Sequence, residues 1–405
     1  MRPRVALAAF VVIVAAGACG VPSLDLTGKG CPCGSGYTCD TVRQVCVAGS
    51  QTDGGPPRGD GAVPSETGLP PPDGTAPFEG AANDSPSCGD TVSDPANCGR
   101  CGHSCLGGTC AGGLCQPQVL AANQPSATNL AVDSSTVYWA AGSPVSTIYS
   151  CPFSGCASPA VLMTSTAMIG NVAVAGGFLF YIAPGVVGRC QLPGCTAPQT
   201  IASASGRSSY AVVTADAVSV MWSDTGTADV LACPVAGCAG APTVVTSGAS
   251  VFGLPVLDAT NLYFDNGSGQ IVACARTGCG SSPVALTGTG VSGGQGLAVS
   301  GGIAYFDNSS AVASCPTSGC TAPKVLASGQ LGPGPLAVLG TDLYWSNGYG
   351  TTVEHCTLPD CTGGPTDVAV GQQGPVAVAV SAQWVFWYVD TTGTAGSGAV
   401  MKVAR

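Results

Sequence analysis

Past Gln118 the apolar residues come in short bursts separated by Gly, Ser, Pro, Thr and Asp. The bursts keep one order. A β-rich run comes first, as in Val119-Leu120 or Val325-Leu326. A Gly/Ser/Pro turn leads to a small apolar run, such as Leu130-Ala131-Val132, Val172-Ala173-Val174 or Leu336-Ala337-Val338. A second turn leads to a bulky pair: Tyr138-Trp139, Phe180-Tyr181, Met221-Trp222, Tyr263-Phe264, Tyr305-Phe306, Tyr344-Trp345 and Phe386-Trp387. A third turn leads to a run that ends in cysteine. Runs this short, rich in Val, Tyr, Phe and Trp and bounded by turn residues, predict strands rather than helices.

The terminal cysteine opens a six-residue loop, Cys151-Pro152-Phe153-Ser154-Gly155-Cys156. It recurs from Cys190 to Cys195, Cys233 to Cys238, Cys274 to Cys279, Cys315 to Cys320 and Cys356 to Cys361. Successive first cysteines lie 39, 43, 41, 41 and 41 residues apart. Four short strands in that period make the blade of a β-propeller. Seven units align, at 118–159, 160–198, 199–242, 243–283, 284–323, 324–365 and 366–405. The small Ala/Val strand suits the crowded position near the axis, and the aromatic pair suits the space between blades. In the seventh unit Val400-Met401-Lys402-Val403 aligns with the cysteine-bearing third strand, and no fourth strand or staple follows. Val119-Leu120 precedes the first inner strand and is expected to supply that missing outer strand, closing the ring.

Cysteines five apart cannot face each other along one straight strand, so the chain must turn between them. Pro and Gly within the loop supply the turn. As disulfides, the loops contribute roughly 2 kcal/mol each on the loop-entropy estimate. Zinc would need four soft donors together, and these pairs belong to different blades.

Towards the N-terminus, Arg2 and Arg4 precede the apolar run Val5 to Ala18, which is shorter than the ~20 residues of a membrane span. This is the pattern of a signal peptide over 1–18. The run ends Ala16-Gly17-Ala18-Cys19. It resembles a bacterial lipobox, which implies that Cys19 is lipidated. Gly20 rather than Asp after the cysteine then implies the outer membrane of a Gram-negative cell. Residues 19–30 read as a lipid-anchored tether, and 31–47, with Cys31, Cys33, Cys39 and Cys46, as a small disulfide-held module. Residues 48–86 carry 8 Pro and 8 Gly and read as a disordered linker. Residues 87–116 hold Cys88, Cys98, Cys101, Cys105, Cys110 and Cys115, a second module. Its run from Asp94 to Cys105 resembles the D-P-x-N-C-G-x-C-G-x-x-C repeats of exported myxobacterial proteins.

Only 8% of the 405 residues are charged, against a typical ~25%. The net charge is −10 without any Lys/Arg cluster, so nucleic acid is not an expected partner. The 23 cysteines point to an oxidising compartment. Their parity fits it: six staples and the two modules use 22, which leaves Cys19.

Tyr138-Trp139, Tyr344-Trp345 and the closing Val400 to Val403 give the repeat region a resemblance to YWTD/NHL-like propellers, although Ala140 and Ser346 stand where the Thr-Asp of that motif would begin. No catalytic set emerges. Gly288 to Gly293 fits G-x-G-x-x-G and Gly290 to Gly294 fits G-x-S-x-G, but neither has the helix that such sites need. Asp265-Asn266-Gly267 and Asp307-Asn308 read as hairpin turns. His103 and His355 read as solvent-facing residues beside cysteines. The expectation is an all-β chain: a seven-bladed β-propeller at 117–405, preceded by two disulfide-rich modules and a disordered linker. It is expected to be a monomeric, exported, membrane-anchored binding or scaffold protein for a protein or glycan, with no catalytic residue, metal or cofactor. A propeller lyase or hydrolase acting on cell-wall or extracellular polymer, and a structural surface protein without a specific ligand, are the alternatives.

Overall fold

The computed structural model describes residues 88–142, 145–203, 212–291, 296–390 and 397–405, together with the backbone of 37–40 and 45–48. The chain divides into two compact units, Met1–Ala81 and Ala82–Arg405. In the first, Tyr37–Asp40 and Val45–Ala48 form an antiparallel hairpin with Cys39 opposite Cys46. Cys19, Cys31, Cys33 and the expected signal segment and linker lie outside the described residues.

The second unit carries seven four-stranded antiparallel sheets, the blades of a propeller. Blade 1 is built from Ala127–Val132, Thr136–Ala141, Ser146–Pro152 and Ala160–Ser165, from the axis outwards. Blades 2 to 6 repeat this order along the chain. Blade 7 is composite. Pro375–Val380, Trp384–Val389 and Gly398–Ala404 supply three strands, and Gln118–Gln124 supplies the outer one. Val119 lies opposite Met401 and Ala121 opposite Val400, which is the closure that the repeat alignment predicts.

The bulky pairs explain why the blades pack as they do. Neighbouring residues of a strand point to opposite faces of the sheet. The first of each pair therefore faces the next blade and the second faces the previous one. Tyr138 packs with Val172 and Leu179 of blade 2, while Trp139 shares a buried cluster with Phe386 of blade 7. Phe264 packs with Met221 of blade 3, while Tyr263 packs with Phe306 of blade 5. Every seam thus receives bulk from both sides, and Trp139, Trp222, Trp345 and Trp387 are fully buried. Where a third-strand residue must make room, glycine serves: the Tyr181 ring lies over Gly188, its cross-strand partner, leaving no space for a Cβ.

The structure joins Cys151 to Cys156, Cys190 to Cys195, Cys233 to Cys238, Cys274 to Cys279, Cys315 to Cys320 and Cys356 to Cys361. In four of these loops a glycine with positive φ completes the turn, as at Gly155 (106°) and Gly278 (114°). In the two Leu-Pro loops the second cysteine itself takes that conformation, Cys195 at 48° and Cys361 at 50°. The staples also reach across seams. The Cys279 N–H donates to the Val245 carbonyl on the outer strand of blade 3 at 2.9 Å, and Cys320 does the same to Leu286 of blade 4 at 2.9 Å. At the closing seam the sulfurs of Cys151 and Cys156 lie 3.7 and 3.8 Å from the Leu120 carbonyl. There Lys402 donates to the Phe153 carbonyl at 2.7 Å, and the Phe153 and Phe386 rings sit 4.8 Å apart.

Blade 7 has no staple, and the second cysteine module stands in for it. Val403 pairs with Val385 as Cys356 pairs with Leu343, so Val403 occupies the position of a staple cysteine. The module is held by Cys88–Cys101, Cys98–Cys110 and Cys105–Cys115. Its buried cystines share one apolar cluster with Val385, Val403 and Ala404. Its strand Leu114–Cys115 abuts Thr366–Ala369, the outer strand of blade 6, where a staple of blade 7 would lie.

Replacing Cys274 and Cys279 together by Ser is expected to lower the unfolding free energy by roughly 2 kcal/mol. Urea unfolding should show this as a lower midpoint with an unchanged slope. An unchanged midpoint would show that the staple does not constrain the chain.

Candidate functional site

Among the described residues of the second unit, two concavities stand out. The first is the axial channel, about 210 Å³, lined by inner-strand residues of all seven blades, among them Val172, Val213, Pro255, Leu297, Leu336 and Val378. Its polar lining includes two amides that tie neighbouring inner strands. Asn129 donates to the Val172 carbonyl at 2.8 Å and accepts from the Val172 N–H at 3.1 Å. Asn171 does the same to Val213, at 2.8 and 2.7 Å. Among the described residues, none that lines this channel is titratable.

The second concavity is a cleft of about 650 Å³ at the rim, between the cysteine module and blades 6 and 7. Both histidines of the chain open onto it. His103 comes from the module loop. Its Nδ1 donates to the Cys98 carbonyl at 2.6 Å, and its Nε2 sits 3.0 Å from the Arg405 carbonyl. His355 comes from the third strand of blade 6, Val353–Thr357. Its Nε2 shares a proton with the Thr366 hydroxyl at 2.8 Å, and its ring stacks on Tyr344 at 5.5 Å. The side chains are therefore half-buried seam residues, which corrects the expectation that both face solvent.

Arg405 spans the seam. Its Nη2 donates to Asp342 Oδ2 at 2.7 Å and to the Leu339 carbonyl at 2.9 Å, and its Nε donates to the Tyr344 hydroxyl at 2.7 Å. Arg405 lies two residues beyond Val403, the position that Arg276 holds relative to Cys274. Arg276 makes the same kind of clamp on blade 3, with Asp216 at 2.5 Å. The seam between blades 6 and 7 has thus kept the guanidinium clamp and exchanged the staple for the module. Because the module fills that space only in part, a cleft remains.

Burial holds the His355 imidazole below the ordinary histidine value, and Arg100 and Arg405 push in the same direction while Asp342 opposes them. Burial also raises the Tyr344 phenol. The Sγ atoms of Cys98, Cys105 and Cys115 all lie within 4.8 Å of one another. Each belongs to a disulfide, so none is the thiolate that zinc requires.

The other singled-out positions stay apart from both concavities. Asp265 ends the second strand of blade 4, Asn261–Asp265, and Asp307 and Asn308 end that of blade 5, Ile303–Asn308, which corrects the expectation that they are turn residues. The Asp265 Oδ1 accepts from the Gly267 N–H at 2.7 Å. Asp307 Oδ1 accepts from the Gly296 N–H at 2.5 Å, across to the inner strand of its own blade. Gly288 and Gly290 lie between the outer strand of blade 4 and the inner strand of blade 5, with no helix after them, and residues 292–295 fall outside the described ones.

The fold has counterparts among solved structures. A virginiamycin B lyase from Staphylococcus aureus superposes with a TM-score of 0.56 at 12% identity, over 72% of this chain and 98% of that one. A streptogramin B lyase gives 0.57 at 10% identity, over 71% and 97%. The WD40 propeller domain of Doa1 gives 0.50 at 9% identity, over 71% and 95%. At such identities the likeness concerns the propeller fold alone. No protein-family model matches the chain, and no curated protein matches it.

The sequence signals pointing to the rim cleft are the missing seventh staple and the position of each histidine beside cysteines. Arg100, Asp342 and Arg405 carry no local signature, and Tyr344 reads only as one of the bulky pairs.

A proton NMR titration should place His355 below the ordinary histidine midpoint. A histidine with a depressed folded value contributes stability above its unfolded value of ~6.5 and loses it as the pH falls. The stability advantage of wild type over His355→Gln should therefore shrink between pH 7 and pH 5. A constant or growing advantage would contradict the burial of the ring.

Proposed function

We propose that the chain is an exported, lipid-anchored binding or scaffold protein that presents its propeller to a protein or glycan partner. The observation that carries this reading is how the polar groups of the larger concavity are employed. His103, Tyr344, Asp342 and Arg405 are engaged in bonds that hold module, blade 6 and blade 7 together, and His355 is bonded to Thr366 within blade 6. That arrangement keeps a surface rigid, whereas acid–base or nucleophilic chemistry needs a group aligned on a reacting partner. Export is supported by the nine disulfides among the described residues, a pattern of oxidising compartments. Anchoring rests on the run ending in Cys19. The fold that this chain shares with lyases leaves a propeller enzyme as the second reading. The titratable lining of the rim cleft, with its two histidines, is the foothold for that reading.

Two measurements test the proposal. Cell fractionation should find the wild-type chain in the membrane fraction and Cys19→Ala in the soluble one. The immobilised chain should retain a defined partner from an envelope extract. A chain that stays with the membrane without Cys19, or that retains nothing, would contradict the corresponding half.

A further inference from the structure

The rim cleft has a charge pattern that the clamp does not use up. Its guanidiniums are Arg100 and Arg405, and its carboxylates are Asp342 and Asp367, so these ionised groups balance. Arg405 and Asp342 are spent on each other. Arg100, from the module, and Asp367, from the outer strand of blade 6, are exposed and make no side-chain hydrogen bond or ion pair among the described residues. One uncommitted charge of each sign therefore lines the same cleft. The accessible apolar lining of the cleft includes Leu114 of the module and Val368 of blade 6, both partly exposed. A volume of about 650 Å³ is in the range of small-ligand sites, ~300–1,000 Å³.

We propose that this cleft binds a zwitterionic ligand of amino-acid or short-peptide type. Its carboxylate pairs with Arg100, its ammonium with Asp367, and its apolar side chain lies against Leu114 and Val368. Guanidinium and carboxylate match in a two-pronged pairing, which gives Arg100 its discrimination. A simple anion would meet Asp367 uncompensated, and a simple cation would meet Arg100. This deepens the reading of the chain as a binding protein and rests on it.

The probe is the dipeptide Leu-Leu, titrated calorimetrically into the full mature chain. N-acetyl-Leu-Leu removes its positive end and Leu-Leu amide its negative end. The dipeptide should bind, and losing either charge should weaken binding about two- to fivefold, as expected for ion pairs at exposed positions. In Arg100→Gln the dipeptide and its amide should bind alike. In Asp367→Asn the dipeptide and its N-acetyl form should bind alike. Both positions are exposed, so an unchanged melting temperature would show that the variants fold. No heat with the dipeptide, equal binding of all three probes, or unchanged preferences in both variants would overturn the proposal. A chain that captures an envelope partner yet ignores the dipeptide would sink this inference alone and leave the binding role standing.

Discussion

The ring depends on one pairing, the antiparallel match of Gln118–Gln124 with Gly398–Ala404. A propeller buries each sheet between two neighbours, so an open ring would leave the outer faces of two blades in water. Here those faces carry Trp139 and Phe386, both fully buried in the closed form. Exposing a side chain of that size forfeits about 1.5–3 kcal/mol. The pairing joins strands almost 280 positions apart in sequence and so carries a large closure entropy, which its cross-strand bonds must offset. The Lys402 bond to Phe153 and the contact of the first staple with Leu120 add to it at the same seam.

The cysteine module follows from the same constraint. A blade that borrows its outer strand from the start of the repeats has no loop between third and outer strands, and hence no room for a staple. The seam with blade 6 would then be bare where the other blades place a disulfide. Residues 88–115 cover it with three disulfides and with His103 set against Arg405. The module thus belongs to the propeller's packing, and the rim cleft is the space left where its shape differs from that of a staple.

Much of the propeller was legible in the residues. The period of the staples, the bulky pairs and the register of Val119-Leu120 against Val400 to Val403 define blade number, strand order and closure, because each is a local pattern repeated at fixed spacing. The cleft was not legible. His103 and His355 lie 252 positions apart, and their meeting depends on where the module docks, which no periodicity encodes. Their half-buried state has the same origin: a strand residue such as His355 faces solvent unless another segment covers it. Arg405 could be matched to Arg276 only once Val403 had been aligned with a staple cysteine.

The central claim is the strand pairing at the closure, and cross-linking tests it most directly. Val119 and Met401 are cross-strand partners, close enough for a disulfide, whereas Val119 and Ala399 are offset along the strand. In the double variant Val119→Cys with Met401→Cys, peptide mapping should find the new disulfide within one chain, and Val119→Cys with Ala399→Cys should not form it. Free thiols in the first variant, or a cross-link between two chains, would contradict the closed ring.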